Sequence, residues 1–289
     1  MTSDTQLDRD QRAWVRVLMR LGYGGRGVVY ALVGILGLIA VFRGGRAEGT
    51  QSALVELRDW PFGQVVLCAL AVGLLAYAAW RFINAVFDLD RYGADAKGLF
   101  ARFCMLVVGI IHIALAFAAV AIAFHLTGGD GESGMDATTR TVMSWPFGRL
   151  LVGAVGLATI GGGLFFVWRA WSRDYERKVV RNPATERLDW LMAFGMFAHG
   201  GVVALIGVFF VTAAWTFDAN EAGGMQQALD RIRDWPFGDW LIAAIAIGFL
   251  GFALACFMNA AYRLVPINVN PDDEREVLAG EPAGKALGR

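Results

Sequence analysis

Three copies of one tetrapeptide divide the chain: Trp60-Pro61-Phe62-Gly63, Trp145-Pro146-Phe147-Gly148 and Trp235-Pro236-Phe237-Gly238. Each copy precedes a long apolar stretch and follows a short, mildly amphipathic segment that begins at a glycine. A tryptophan suits the headgroup depth of a membrane, a proline can start a helix, and a glycine permits close backbone approach. The tetrapeptide is therefore typical of a corner where the chain re-enters a membrane. Its repetition predicts three copies of one two-helix unit.

Six long stretches contain no Lys, Arg, Asp or Glu, and they run 27–42, 60–80, 103–129, 150–168, 190–217 and 240–262. Crossing the hydrocarbon takes about 20 largely apolar residues. The chain of 289 residues is 56% hydrophobic and 18% charged, whereas soluble domains are about 25% charged. We therefore predict an all-α integral membrane protein with six transmembrane helices.

The repeats are expected at residues 22–90, 98–173 and 186–265. Their spans are expected at about 22–42 and 64–87, 103–126 and 149–171, and 190–216 and 239–263. Each unit crosses twice, so every copy enters from the same side, and such repeats are related by rotation about the membrane normal. This predicts a six-helix bundle with pseudo-threefold symmetry and a short interfacial helix in each non-cytoplasmic loop. Residues 1–21 are predicted to form a basic amphipathic cytoplasmic segment and residues 266–289 a disordered cytoplasmic tail.

The charges suggest a location and exclude some partners. Lys plus Arg and Asp plus Glu each number 26, and this balance argues against a nucleic-acid surface. Basic residues concentrate before the first span, in the second and fourth connections and in the tail. The positive-inside rule then predicts that both termini lie on the cytoplasmic side of a bacterial cytoplasmic membrane. The three cysteines lie within predicted spans without C-x-x-C spacing, so neither a disulfide framework nor a thiolate metal site is expected.

Two longer patterns in the first unit carry a family resemblance. They are Gly22-x-x-x-Arg26-Gly-Val-Val-Tyr30-x-x-x-Gly34 and Gly73-Leu-x-x-Tyr77-x-x-Trp80-Arg81. With Pro-Phe-Gly between them, they resemble the bacterial membrane family called domain of unknown function 1206, as three tandem copies over about residues 20–265. The resemblance implies membership of that family and a membrane location, and it implies no reaction or substrate.

Ionisable side chains inside predicted spans are the candidates for function. Aligning the first helices of the repeats matches Arg26 with Val108 and His199, and Tyr30 with His112. The two aligned positions are four residues apart, so they share one helix face. If that face points to the pseudo-threefold axis, a central polar site forms in the cytoplasmic half of the bundle from Arg26, Tyr30, His112 and His199. The uncharged stretches lack carboxylates, and neither a Ser-His-Asp set nor H-E-x-x-H is present, so no enzyme is expected.

Several functions stay open at this level. The first is a structural, assembly or envelope-related role with the lipid bilayer as the partner. The second is a binding site or pathway for a small molecule or anion at the central residues. The third is a haem held by His112 and His199; apart from that alternative, no cofactor or metal is expected. The residues could also have no site role, with Arg26 and Arg81 reaching the inner headgroups and the histidines bonding across helices.

Overall fold

The computed structural model describes residues 9–43, 50–90, 92–126, 139–180, 182–222 and 224–263. Its helices are α1 (Arg9–Arg43), α2 (Thr50–Arg58), α3 (Gly63–Phe87), α4 (Ala96–Ala123), α5 (Gly148–Ser172), α6 (Pro183–Arg187), α7 (Asp189–Thr216), α8 (Met225–Arg233) and α9 (Gly238–Tyr262). Six of them, α1, α3, α4, α5, α7 and α9, are long and apolar enough to cross a membrane. The predicted all-α fold with six spans is confirmed.

The spans form a ring in the order α1, α3, α4, α5, α7, α9. Along this ring, α1 packs on α3, α3 on α4, α5 on α7, α7 on α9, and α9 back on α1. Over their described lengths, α4 and α5 share no comparable interface. The three repeats therefore surround one axis, as the sequence predicts, and the ring is loose at one position. We call the end where α1 begins and α9 ends the terminal side, and the opposite end the corner side.

Each Trp-Pro-Phe-Gly copy forms a tight turn on the corner side. In the first copy, the Gly63 amide donates to the Trp60 carbonyl at 2.9 Å, and Phe62 has a left-handed φ of 63°. The other two copies repeat this geometry, with φ of 64° at Phe147 and 63° at Phe237. The spans α3, α5 and α9 begin at the glycine of the motif. The expectation that the proline starts the helix is wrong, because the proline belongs to the turn that precedes it.

The glycine of each corner is required by close packing. A Cβ on Gly63 would overlap the carbonyl oxygen of Leu57. Added Cβ atoms on Gly148 and Gly238 would likewise overlap the carbonyl oxygens of Val142 and Arg233. The end of each preceding helical segment therefore rests directly on the first turn of the next span.

Small residues also set the contacts between spans. A Cβ on Gly25 of α1 would lie 2.9 Å from the Cα of Gly73 in α3, and one on Gly163 of α5 would lie 2.5 Å from the Ala204 backbone nitrogen in α7. Lipid provides no hydrophobic drive for helices to associate, so van der Waals contact across such residues holds spans together.

Short helices close the corner side. In α2, Ala53, Leu54 and Leu57 are buried, and α8 buries Ala228, Leu229 and Ile232. Their apolar faces pack on the spans. The middle repeat is helical at residues 139–143, and the earlier part of that connection lies outside the described residues. The predicted tail at 266–289 also lies outside them.

The basic segment predicted at residues 1–21 is described from Arg9, and its first eight residues lie outside the described part of the chain. From Arg9 onward these residues are the first turns of α1, continuous with the span. Val15 and Met19 are buried in the same core cluster as Tyr23, and the spacing of four places all three on one helix face. Burial of this face extends the first helix beyond its uncharged stretch.

Candidate functional site

Arg26 lies inside the bundle, and its side chain forms hydrogen bonds to two other helices. It is 5% exposed, and one guanidinium nitrogen donates to the Tyr77 hydroxyl at 2.8 Å. Its other terminal nitrogen lies 3.3 Å from Nε2 of His199. A guanidinium has only donors, so His199 accepts through Nε2 and carries its proton on Nδ1. That buried Nδ1 has no hydrogen-bond partner among the described residues.

Aromatic rings surround this pair. The imidazole of His199 stacks on Phe252 at 4.0 Å between ring centroids and meets Tyr30 edge-on at 4.9 Å. Phe166 of α5 approaches it edge-on at 5.0 Å. The Arg26 guanidinium carbon lies 4.8 Å from the Phe252 ring centroid. Aromatic faces therefore stabilise a cation that is removed from water.

His112 of α4 joins the group through Tyr77. It is 6% exposed, and its ring centroid is 4.6 Å from that of Tyr77. Its Nδ1 lies 2.7 Å from the Val108 carbonyl, which can only accept, so Nδ1 carries the proton. The structure thus brings together the four residues selected from the sequence: Arg26, Tyr30, His112 and His199.

Tyr77 and Phe252 were missed by the sequence reasoning, although both lie at the centre. The helices α3 and α9 each have 25 residues and begin at a corner glycine, so these two aromatic residues occupy equivalent positions. An alignment of the second helices could have identified them.

Arg81 shares the hydroxyl that Arg26 uses. Its Nε donates to the Tyr77 oxygen at 2.8 Å. One neutral oxygen thus receives two guanidinium groups, and neither Arg26 nor Arg81 has a carboxylate partner within the described part of the chain. Among the described residues, these two cations within the membrane-spanning region therefore have no countercharge.

A buried ion pair adjoins the site on the terminal side. Arg263 donates to both carboxylate oxygens of Asp90, at 2.9 and 3.0 Å, and the two side chains are 4% and 5% exposed. The Asn84 amide donates to the same carboxylate at 2.9 Å. This pair joins the first repeat to the third. Sequence reasoning missed it because both residues lie outside the uncharged stretches.

A cavity of about 240 Å³ adjoins this cluster, and of the four residues selected from the sequence only Arg26 lines it. Four arginines line it: Arg26, Arg81, Arg169 and Arg263. The Nε of Arg169 is buried without a hydrogen-bond partner among the described residues. Beyond Arg26, toward the corner side, Val33, Val202 and Phe249 belong to a packed core cluster. In the described part of the chain, the cavity therefore lies on the terminal side and ends at this packed core.

Acidic residues line the cavity where the 173–189 connection borders it. Glu186 is exposed, and Asp189 pairs with Arg173 and accepts from the Tyr175 hydroxyl. Burial raises the pKa of Tyr175, and the nearby Arg173 charge opposes that rise. The carboxylates therefore lie toward the rim, and the deep part of the pocket is cationic and aromatic.

Metal ligands are not clustered in this site. Among the described residues, no group of three or more His, Cys, Asp or Glu side chains could hold a metal ion. The cysteines are free, and Cys256 is buried in the pocket wall.

The ring of three two-helix repeats, with one asymmetric polar site at its centre, defines a class of multi-pass membrane proteins built by tandem repetition. The chain belongs to the family described as Domain of Unknown Function (DUF1206), which matches it three times, at residues 21–88, 103–173 and 194–263. Each match covers most of the first span and all of the second span of one repeat, so the resemblance found in the sequence is confirmed.

The chain is also similar to the "Uncharacterized protein YxxB" of Bacillus subtilis (strain 168). The two are 24% identical over 267 residues, which cover 90% of this chain and 95% of that protein. No solved structure matches the chain significantly.

Proposed function

We propose that this protein binds a small anion, or the acidic group of a larger molecule, in the arginine-lined pocket, without catalysing a reaction. The observation that carries the proposal is the uncompensated charge of Arg26 and Arg81 at the Tyr77 hydroxyl. Charged groups inside a membrane are costly and mark functional sites by default. A purely structural role would not require cations without a countercharge at this depth.

Unused hydrogen-bond donors belong to Arg26 and Arg169, which line the pocket, and to His199, which contacts Arg26. The Nε atoms of Arg26 and Arg169 and the Nδ1 of His199 are buried without partners in the described part of the chain. Guanidinium groups match the paired oxygens of a carboxylate or phosphate. A bound anion would satisfy these donors and neutralise the pocket. Phe166 and Phe252 would then pack against any apolar part of the ligand.

The pocket is expected to open to the cytoplasm of a bacterial cell. This orientation rests on the excess of Lys and Arg at the termini and in the second and fourth connections. Binding needs only the arrangement described above. Passage along the axis would require the packed core at Val33, Val202 and Phe249 to separate, so binding is the function proposed and transport is not.

A haem held by His112 and His199 fits the arrangement poorly. The Nε2 of His199 accepts from Arg26, and its Nδ1 carries the proton, so neither nitrogen has a lone pair for iron unless this bond breaks. An absorbance spectrum of the purified protein after haem supplementation tests this directly. A Soret band that is lost in His199→Ala would reverse the argument.

The proposal is tested by thermal unfolding of the purified protein in a panel of anions that includes chloride, sulfate, phosphate and acetate. At least one anion should raise the midpoint saturably, since a ligand at a hundred times its Kd stabilises by about 2.7 kcal/mol. Arg26→Gln and His199→Ala should lose the shift. Arg20→Gln, which removes an exposed arginine of the same helix, should keep it. The proposal fails if the wild type shows no anion-dependent shift, or if Arg26→Gln shows the same shift.

A further inference from the structure

The gap between α4 and α5, which we call the α4–α5 seam, follows from residue size. In the first repeat, a Cβ on Gly22 would lie 2.6 Å from the Tyr77 backbone nitrogen, so α1 and α3 can touch only at a glycine. The third repeat has Gly195 at the equivalent position, packed equally closely on α9. The middle repeat has Cys104 there, and Val107 in place of Gly25. These side chains prevent the same backbone approach, so α4 and α5 do not pack closely. Phe100 of α4 comes near α5 at Gly161, where an added Cβ would lie 3.7 Å from its ring.

The middle repeat also has an aromatic residue at the axis, Phe166 of α5, but it lies one turn further along its helix than the aromatic residues of the other two repeats. The helices α3, α5 and α9 all have 25 residues and begin at a corner glycine. At the position where α3 has Tyr77 and α9 has Phe252, α5 has Gly162. An added Cβ on Gly162 would meet nothing within 4 Å. Open space therefore adjoins the axis at Gly162, on the helix that borders the seam.

This open space lies on the face of α5 that lines the pocket. Gly162, Phe166 and Arg169 are spaced by four and three residues, which places them on one helix face. Phe166 and Arg169 line the pocket, to which α4 contributes no described residue. The part of the pocket wall between Arg81 of α3 and Arg169 of α5 therefore lies next to the α4–α5 seam.

Arg169 lies at a depth that suits a lipid headgroup. It is about 10 Å along the helix from Gly162, at 1.5 Å per residue. The neighbouring Trp168 and Trp171 are 50% and 86% exposed, and tryptophan concentrates at the membrane interface. A cation at the interface and an apolar gap leading from it into the hydrocarbon match the two parts of an anionic lipid.

We propose that the α4–α5 seam is a lateral entrance from the bilayer and that its occupant is an anionic phospholipid. One acyl chain lies in the seam beside Gly162, and the phosphate contacts Arg169 and reaches toward Arg26. This inference rests on the proposed function, since it names the anion that the pocket takes. Charge complementarity favours an anionic headgroup, because a zwitterionic lipid would bring an ammonium group toward the pocket arginines.

The experiment compares retention of phosphatidylglycerol and phosphatidylcholine by the purified full chain, measured by native mass spectrometry. The wild type should retain phosphatidylglycerol preferentially, and Gly162→Leu and Arg169→Gln should each reduce that retention about tenfold. The matched controls are Gly201→Leu and Arg20→Gln. An added Cβ on Gly201 also meets nothing within 4 Å, but Gly201 is exposed. On α7 it is separated by 200° from His199, which contacts the pocket residue Arg26.

A second measurement, stabilisation by inorganic phosphate, separates this inference from the proposed function. If the wild type does not prefer phosphatidylglycerol but phosphate stabilises it and not Arg26→Gln, the lipid inference is overturned and anion binding stands. If neither ligand has an effect, both proposals fall. An equal loss of lipid in Gly201→Leu would also overturn the seam as the entrance. Should Gly162→Leu fail to fold, Arg169→Gln against Arg20→Gln decides the result.

Discussion

Removing the carboxylate of Asp90 should destabilise the protein strongly. Arg263 loses its countercharge in Asp90→Asn, while both side chains are at most 5% exposed. Breaking a buried pair by removing one partner costs about 3–5 kcal/mol, because the remaining charge is left buried. At about 2–4 °C per kcal/mol for a chain of this size, the midpoint should fall by about 6–20 °C.

The assay is thermal unfolding in one detergent, with an exposed ion pair as the control. Arg233 and Asp239 lie 3.3 Å apart with side chains 30% and 64% exposed, so Asp239→Asn should cost less than about 1 kcal/mol. Replacing both buried partners, in Asp90→Leu with Arg263→Met, should recover much of the loss. The reasoning is refuted if Asp90→Asn costs no more than Asp239→Asn, or if the double variant is as unstable as the sum of its single changes.

Two further predictions concern helix packing and pH. Gly25→Leu should cost at least about 1–3 kcal/mol, because its Cβ would meet Gly73 in α3. Gly24→Leu should be tolerated, because its Cβ meets nothing within 4 Å. Thermal unfolding of both variants checks this contrast, and equal midpoints would contradict it. Burial raises the pKa of Tyr175, so its contribution to stability is complete below about pH 10 and is lost as pH rises through the raised pKa. Tyr175→Phe should therefore flatten the alkaline fall in stability above about pH 10. The prediction fails if Tyr175→Phe and the control Tyr262→Phe give the same pH profile.

The sequence predicts the fold well because repetition and hydropathy each constrain it. Three copies of the corner motif define the units, and the length of each apolar stretch defines the spans. The meeting of Arg26, His112 and His199 could be anticipated because a spacing of four defines a helix face, and threefold repetition directs equivalent faces to one axis. The sequence does not define how each helix is rotated about its own axis, and the structure shows this rotation.

Other features depend on contacts between helices that a single sequence does not contain. The burial of Asp90 and Arg263 arises where the ends of α3 and α9 meet, and neither residue differs in sequence from an ordinary loop charge. The separation of α4 from α5 depends on Cys104 and Val107, which replace glycines. The effect of this replacement is recognised only by comparison with the close contact of Gly22 and Tyr77 in the first repeat. The extension of α1 to Arg9 likewise follows from buried side chains and not from hydropathy.

An experimental density map of the protein in lipid nanodiscs that contain phosphatidylglycerol tests the central claim most directly. We predict a ring of six spans with the Arg26 guanidinium between Tyr77 and His199, and non-protein density against the unpartnered donors of Arg26 and Arg169. A ring in which the imidazoles of His112 and His199 face lipid, or a pocket that has closed with Arg26 turned to the headgroups, would contradict it.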